Sequence, residues 1–171
     1  MDFLEIDELK SVLYEYQMNE IAENDTEIIL DGIAAGVEEV RGYFEASNNR
    51  RETLNLTAQQ YAHYKLYDVN AIFNARGAER NAFVLRLCKR VAAWNVCELS
   101  NVDVVYQHVK ERYEQSISTL EKIAGMGEYA KSHMVISSLP SPAHPALENE
   151  NNTQEDMKPF RSGSRPKFNH E

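Results

Sequence analysis

Few side chains in this 171-residue sequence are spaced for chemistry. The histidines, at 63, 108, 133, 144 and 170, are scattered, and no Cys-x-x-Cys or His-Glu-x-x-His interval marks a metal site. Gly125-Met126-Gly127 lacks the third glycine and the preceding strand of a phosphate-binding turn. Nucleophilic catalysis needs a Ser or Cys beside a His. Cys88 and Cys97 instead fall in the most apolar stretch of the chain, where a thiol stays inert. Nine positions apart on one helix, they are turned by about 900° and face opposite ways. No bond between them is expected, and they read as buried apolar side chains in a reducing compartment. Glu38-Glu39 and Glu111 with Glu114 are carboxylate pairs on polar helix faces, best read as solvated. These patterns predict no catalytic residue, no metal and no cofactor, so the chain is not expected to be an enzyme.

Two other groups are suited to recognition. Arg86, Lys89 and Arg90 form a narrow basic edge on an otherwise apolar segment. That edge either meets an acidic partner or pairs with acidic residues of its own chain. The second group is the peptide Lys158-Pro159-Phe160-Arg161-Ser162-Gly163-Ser164-Arg165-Pro166-Lys167-Phe168, where bases alternate with two phenylalanines. Such a peptide can order on a partner's groove or sheet edge, with the rings as anchors and the arginines as charge contacts.

The charge distribution supports docking between complementary faces. Residues 1–45 carry 2 basic and 13 acidic groups, residues 46–125 carry 11 and 8, and the remainder carries 5 and 6, for a net −9. An acidic first third repels phosphate and argues against non-specific nucleic-acid binding there. It equally suits a solvated surface that keeps the chain soluble.

The elements that must position these groups follow from apolar spacing. A short helix is predicted over residues 7–15, capped by Asp7, with Leu9, Val12 and Leu13 on one face. Phe3 and Leu4 precede it as anchors, and a second turn fits residues 19–23. Asn24-Asp25 offers a cap for a helix over 26–45, striped by Ile29, Ile33, Val37, Val40 and Phe44. Ser47-Asn48-Asn49-Arg50-Arg51 reads as a polar turn, and residues 46–66 as a long loop or short helix with tyrosines at 61, 64 and 67. Residues 67–74 form a helical turn interrupted by Gly77. A helix beginning near Ala78 is apolar almost all round from Phe83 to Leu99 and must be buried on most sides. Asn101 or its neighbour caps the next helix, striped by Val102, Val105, Val109, Tyr113, Leu120 and Ile123 and stopped by Gly125.

Composition sets the limits of this plan. The chain fits one domain with an appendage, and 43% hydrophobic residues suffice for a core. All five prolines fall at positions 140–166. An all-α body over 1–125, a small bundle around a central buried helix, is therefore expected to carry an extended arm over 126–171. No run approaches the ~20 apolar residues of a membrane span. The acidic opening Met1-Asp2-Phe3-Leu4-Glu5 lacks a signal-peptide pattern, so synthesis in the cytoplasm is the default expectation.

Tyr67-Asp68-x-x-x-Ile72-Phe73-Asn74-x-x-Gly77-x-x-Arg80-Asn81, then Trp94-x-x-Cys97-Glu98-Leu99 and Val109-Lys110-Glu111-Arg112-Tyr113, resemble the head–tail connectors first noted in Mu-like prophages. The likeness is greatest to members from tailed phages of gut Bacteroidetes, including the crAss-like group. Phe3-Leu4, Glu8-Leu9-Lys10, Ser138-Leu139-Pro140 and Phe160-Arg161-x-Gly163-Ser164 fit as well, and residues 46–66 depart from the pattern. The resemblance implies a virion neck protein made in the bacterial cytoplasm: a ring of twelve copies under the portal, joining the DNA-filled capsid to the tail. It implies as partners the portal protein, copies of the chain itself and a downstream tail or second ring protein. No membrane is implied, and DNA enters only as passing cargo. Residues 159–168 would grip the portal. Arg86, Lys89 and Arg90 of one copy would meet the acidic face of its neighbour, including Glu38 and Glu39. The alternative class is a monomeric helical binding module or regulator of a host protein.

Overall fold

The computed structural model describes residues 3–23, 25–53, 66–99, 107–131 and 134–142; its regular elements are all helices, with no strand among the described residues. The α-helices among the described residues are α1 (Ile6–Leu9), α2 (Glu15–Ile21), α3 (Thr26–Thr53), α4 (Val69–Asn74), α5 (Ala82–Leu99) and α6 (Gln107–Ala124). Single 3₁₀ turns cover Gly77–Glu79 and Gly127–Lys131. The all-α architecture thus holds, with one core running through every layer.

Helix α3 buries the expected stripe of Ile29, Ile33, Val40 and Phe44, with Val37 half-buried. It lies antiparallel against α5, whose Val84, Leu87, Cys88, Val91, Ala92, Ala93 and Val96 are buried. Helix α6 closes the bundle with Val109, Leu120 and Ile123. The flanks of α5 are less enclosed than its composition predicts: Phe83, Leu85, Trp94 and Cys97 are only partly covered, and Leu99 is exposed.

The antiparallel register is fixed by two glycines. A Cβ on Gly36 would lie 2.5 Å from the Cα of Ala92 and 2.6 Å from its nitrogen. One on Gly32 would lie 2.5 Å from Cγ2 of Val96 and 2.9 Å from its nitrogen. No side chain fits in either place, so the backbones of α3 and α5 pack in direct contact.

Several boundaries differ from the sequence expectation. The predicted 7–15 helix is shorter: α1 ends at Leu9 and residues 10–14 are a turn. Glu8 reaches back to the Glu5 amide (3.1 Å), which makes Glu5 rather than Asp7 the N-cap, and Asp7 pairs with Lys10 at 2.8 Å. The carboxamide oxygen of Gln17 accepts from the Tyr14 amide (3.2 Å), so α2 starts at Glu15 rather than near Asn19. Asp25 caps α3 as expected, accepting from the Glu27 amide at 2.9 Å.

Helix α3 does not stop at Glu45, and the predicted polar turn is helical. Asn48 holds it in place: its Nδ2 donates to the Tyr67 carbonyl (2.8 Å) and its Oδ1 accepts from the Tyr67 amide (2.9 Å). A carboxamide bonded this way serves tertiary structure and no longer competes for a local turn. Asn81, not Ala78, begins α5, its Oδ1 accepting from the amides of Phe83 and Val84 at 3.0 and 3.3 Å. Of the loop or short helix expected over 46–66, residues 46–53 continue α3, and residues 54–65, like the cap near Asn101, lie outside the described residues.

The predicted arm also begins later than residue 126. Gly125 takes the left-handed conformation (φ 66°) and ends α6. The chain then returns along the body. The Met134 amide donates to the Lys122 carbonyl (2.7 Å), the Ile136 amide to the Tyr67 hydroxyl (3.0 Å), and the Asp68 amide to the Pro140 carbonyl (3.0 Å). Ile136 and Leu139 are buried in the core. Residues 134–142 are therefore non-helical, as their composition predicts, but belong to the body. Leu139 supplies apolar area that only burial against α4 and α5 can remove from water.

Candidate functional site: a basic cleft at one end of the bundle

A cleft of about 480 Å³ opens where the α1–α2 connection, the start of α5 and the middle of α6 meet. Ser11, Val12, Ala82 and Leu85 line it beside four cations: Arg86, Lys89, Arg90 and Arg112. The first three stand on successive turns of α5, as their spacing requires, and the structure brings them together as predicted. Arg112, on α6, completes the set; its Nη1 donates to the Val12 carbonyl at 3.4 Å. The Arg86 guanidinium stacks over Phe83, 5.3 Å from the ring centre. Burial together with the charges of Arg86 and Arg112 lowers the pKa of Arg90 from its ordinary value, the mark of like charges crowded at one place.

No acidic side chain among the described residues pairs with these four cations. The nearest candidate, Glu8, is already engaged. Its two carboxylate oxygens accept from Nη1 and Nη2 of Arg80, each at 2.7 Å, and Arg80 also donates to the Phe3 carbonyl at 2.7 Å. That bidentate pair, chiefly through its hydrogen bonds, holds the Glu8 carboxyl below the usual glutamate value. Among the described residues the basic edge forms no ion pair with its own chain.

The acidic residues proposed to face it are placed differently from one another. Glu38 is exposed and lies 3.6 Å from Nη1 of Arg41. Glu39 is turned inward, accepting from Nδ2 of Asn95 (3.2 Å) and from the Tyr113 hydroxyl (3.0 Å). This corrects the reading of Glu38-Glu39 as a solvated pair, because the Glu39 carboxylate is a bridge joining α3, α5 and α6. Burial first, and Glu39 second, push the Tyr113 phenol up to about 12. Its ring stacks on Trp94 at 5.2 Å, so that tryptophan is a packing group. Glu111 and Glu114 keep to the solvent, beside Gln107 and Lys110.

Burial pushes both thiols up, that of Cys97 to about 11 and that of Cys88 further. Neither is a thiolate near neutral pH, as the sequence suggested. Among the described residues no three His, Cys, Asp or Glu side chains cluster as metal ligands, and no helix is long and apolar enough to cross a membrane. The peptide from Pro159 to Phe168 lies outside the described residues.

In comparisons with known proteins, no family model, no curated protein and no solved structure matches this chain. The site therefore rests on its own geometry. Arg112 is the member that sequence reasoning missed. It stands 26 positions beyond Arg86, and Lys110, a comparable base on the same helix, points to solvent. The α6 stripe offered the only signal: Arg112 directly precedes Tyr113, on the border of the buried face.

Proposed function

We propose that this protein is a structural connector of a tailed-phage virion: a homo-oligomeric ring, twelve-fold by the resemblance of its motifs, seated on the portal at the neck. The arm peptide from Pro159 to Phe168 binds the portal, and the helical bodies pack side by side. A downstream tail or second ring protein meets the assembly, and DNA passes through the channel as cargo. The reading assigns no catalysis and no cofactor.

The observation that carries it is how the chain leaves the body. Leu139 is buried and Pro140 is tied to Asp68, so the arm departs from a fixed point beside α4 rather than from a loose helix end. Pro140 and Pro142 stand where the described chain runs non-helical away from the body. A peptide with two ring anchors and three cations then follows after an acidic spacer.

Deleting residues 157–171 is expected to leave the helical circular-dichroism signal unchanged and to abolish co-sedimentation with the portal protein. Undiminished portal binding by the truncated chain would sink the arm assignment. Mass-spectrometric absence of the protein from purified virions would exclude the connector and leave a monomeric binding module or host-protein regulator.

A further inference from the structure

We propose that the basic cleft of one copy receives the exposed carboxylates at the α2–α3 corner of a second copy, so that copies join head to tail. The proposal deepens the ring reading above and rests on it. Two complementary surpluses carry it. At one end of the bundle, Arg86, Lys89, Arg90 and Arg112 converge on a cleft with no acidic partner among the described residues. At the other end, Glu20, Glu23, Asp25, Glu27 and Asp31 are all exposed, and none forms an ion pair among the described residues. No lysine or arginine occurs anywhere from Ser11 to Val40, so this corner has no cation of its own in sequence reach.

The register of the bundle separates the two surpluses. Gly36 lies level with Ala92 and Gly32 with Val96. Glu27 therefore stands on one side of that level and Arg86 on the other, about 22 Å apart along the axis at 1.5 Å per residue. That is two to three Debye lengths at physiological salt for this outermost pair. Asp31 and Arg90, the nearest pair on the two helices, stand about 10 Å apart along the axis, still beyond one Debye length, so the two ends neutralise each other only weakly within one molecule. Between copies they meet directly. A contact between two different patches repeats in one direction, and it closes into a ring when the rotation permits.

The concave cleft and its mix of apolar walls and cations suit a protein corner. A long polyanion such as duplex DNA would bring its charge against the rest of a chain carrying −9. The Glu39 carboxylate is not part of the contact, since Asn95 and Tyr113 already hold it.

Two oppositely altered full-length variants test the contact. R86E/K89E/R90E makes both ends acidic, and E20K/E23K/D31K makes both ends basic. Each alone is expected to lose self-association by at least tenfold in Kd, read by sedimentation velocity and native mass spectrometry in about 50 mM salt. An equimolar mixture is expected to assemble again, in strict alternation of the two masses. The neutral variant R86Q/K89Q/R90Q should show an intermediate loss, which keeps the test valid if a reversed variant misfolds. If R86E/K89E/R90E assembles as the wild type does, or if the mixture fails to assemble, the contact is overturned and the ring reading stands. A wild type that stays monomeric with and without the portal removes both. Retention of a short DNA duplex by Arg86, Lys89 and Arg90, with no self-association, overturns the proposal in favour of nucleic acid.

Discussion

Toward α3, helix α5 presents Ala92 and Val96 to Gly32 and Gly36, and the two backbones touch. Less than two turns earlier the same helix presents Arg86, Lys89 and Arg90 to an open cleft. The first surface is fully matched within the chain: small residues face absent side chains, and dispersion and burial hold the helices together. The second is mismatched within the chain, since like charges crowd together, none forms an ion pair among the described residues, and Glu8, whose charge reaches Lys89, is committed to Arg80. A single chain keeps a surface of the second kind only at a cost to its own stability, so the contrast separates what holds the fold from what meets a partner.

The sharpest way to break that contrast is Gly36→Val. Its side chain would enter the backbone of Ala92, and overpacking of this kind costs about 3 kcal/mol or more, read as a lowered midpoint in urea unfolding. Gly42, on the same helix, has nothing within 4 Å of a built Cβ. Gly42→Ala should instead stabilise by about 0.5–1 kcal/mol through helix propensity. Equal responses at the two glycines would remove the tight seam from the account.

A smaller loss is expected at Asn48→Ala, which leaves the Tyr67 amide and carbonyl without their carboxamide partner. Unsatisfied buried backbone groups of this kind cost about 1–3 kcal/mol. Hydrogen exchange should quicken at Tyr67 and at Ile136, whose amide relies on the Tyr67 hydroxyl.

Glu8 provides a pH test of the charged end. Its folded carboxyl is held below its ordinary value by Arg80, so it binds a proton less readily folded than unfolded. Its stabilisation is therefore complete above the unfolded glutamate pKa and is lost as pH falls through the depressed folded value. Glu8→Gln should lower the melting temperature at pH 7 by an amount that shrinks towards zero in acid. A difference independent of pH would contradict the pairing.

The smallest effect is the most informative about the cleft. Arg86→Met removes one of four mutually repelling cations and should change stability by no more than about 0.5 kcal/mol. The direction is upward at low salt, with the gain fading as salt is added. A large loss would mean that Arg86 serves the fold rather than a partner.

Much of the architecture was legible because it depends on local period. The stripe from Ile29 to Phe44 and the apolar run from Phe83 onward both mark helices that the structure contains. Non-local contacts decide the places where that legibility ended. Asn48 reads as a turn residue until its partner, 19 positions later, is known to be the Tyr67 backbone. Gly32 and Gly36 add nothing to the apolar stripe, although their four-residue spacing puts them on one face, where absent side chains permit close packing. Leu139 sits among prolines that predict an extended segment, and they are right about its conformation but silent about its burial. At the candidate site, three cations on adjacent turns were readable together. Arg112 joined them only through the packing of α6, and Glu39 left the acidic face because Asn95 and Tyr113 reach it.

Tyr67 has a mechanical consequence. Its hydroxyl receives the amide of Ile136, its ring packs edge-on against Phe44 at 5.2 Å, and its backbone is gripped on both sides by Asn48. Any tension applied to the chain beyond Pro140 first loads the Asp68–Pro140 bond and then this tyrosine. From there the load spreads through two parallel hydrogen bonds into α3, the longest helix of the body. A pull on the arm is thereby borne by the whole bundle, and the end of α6 carries little of it.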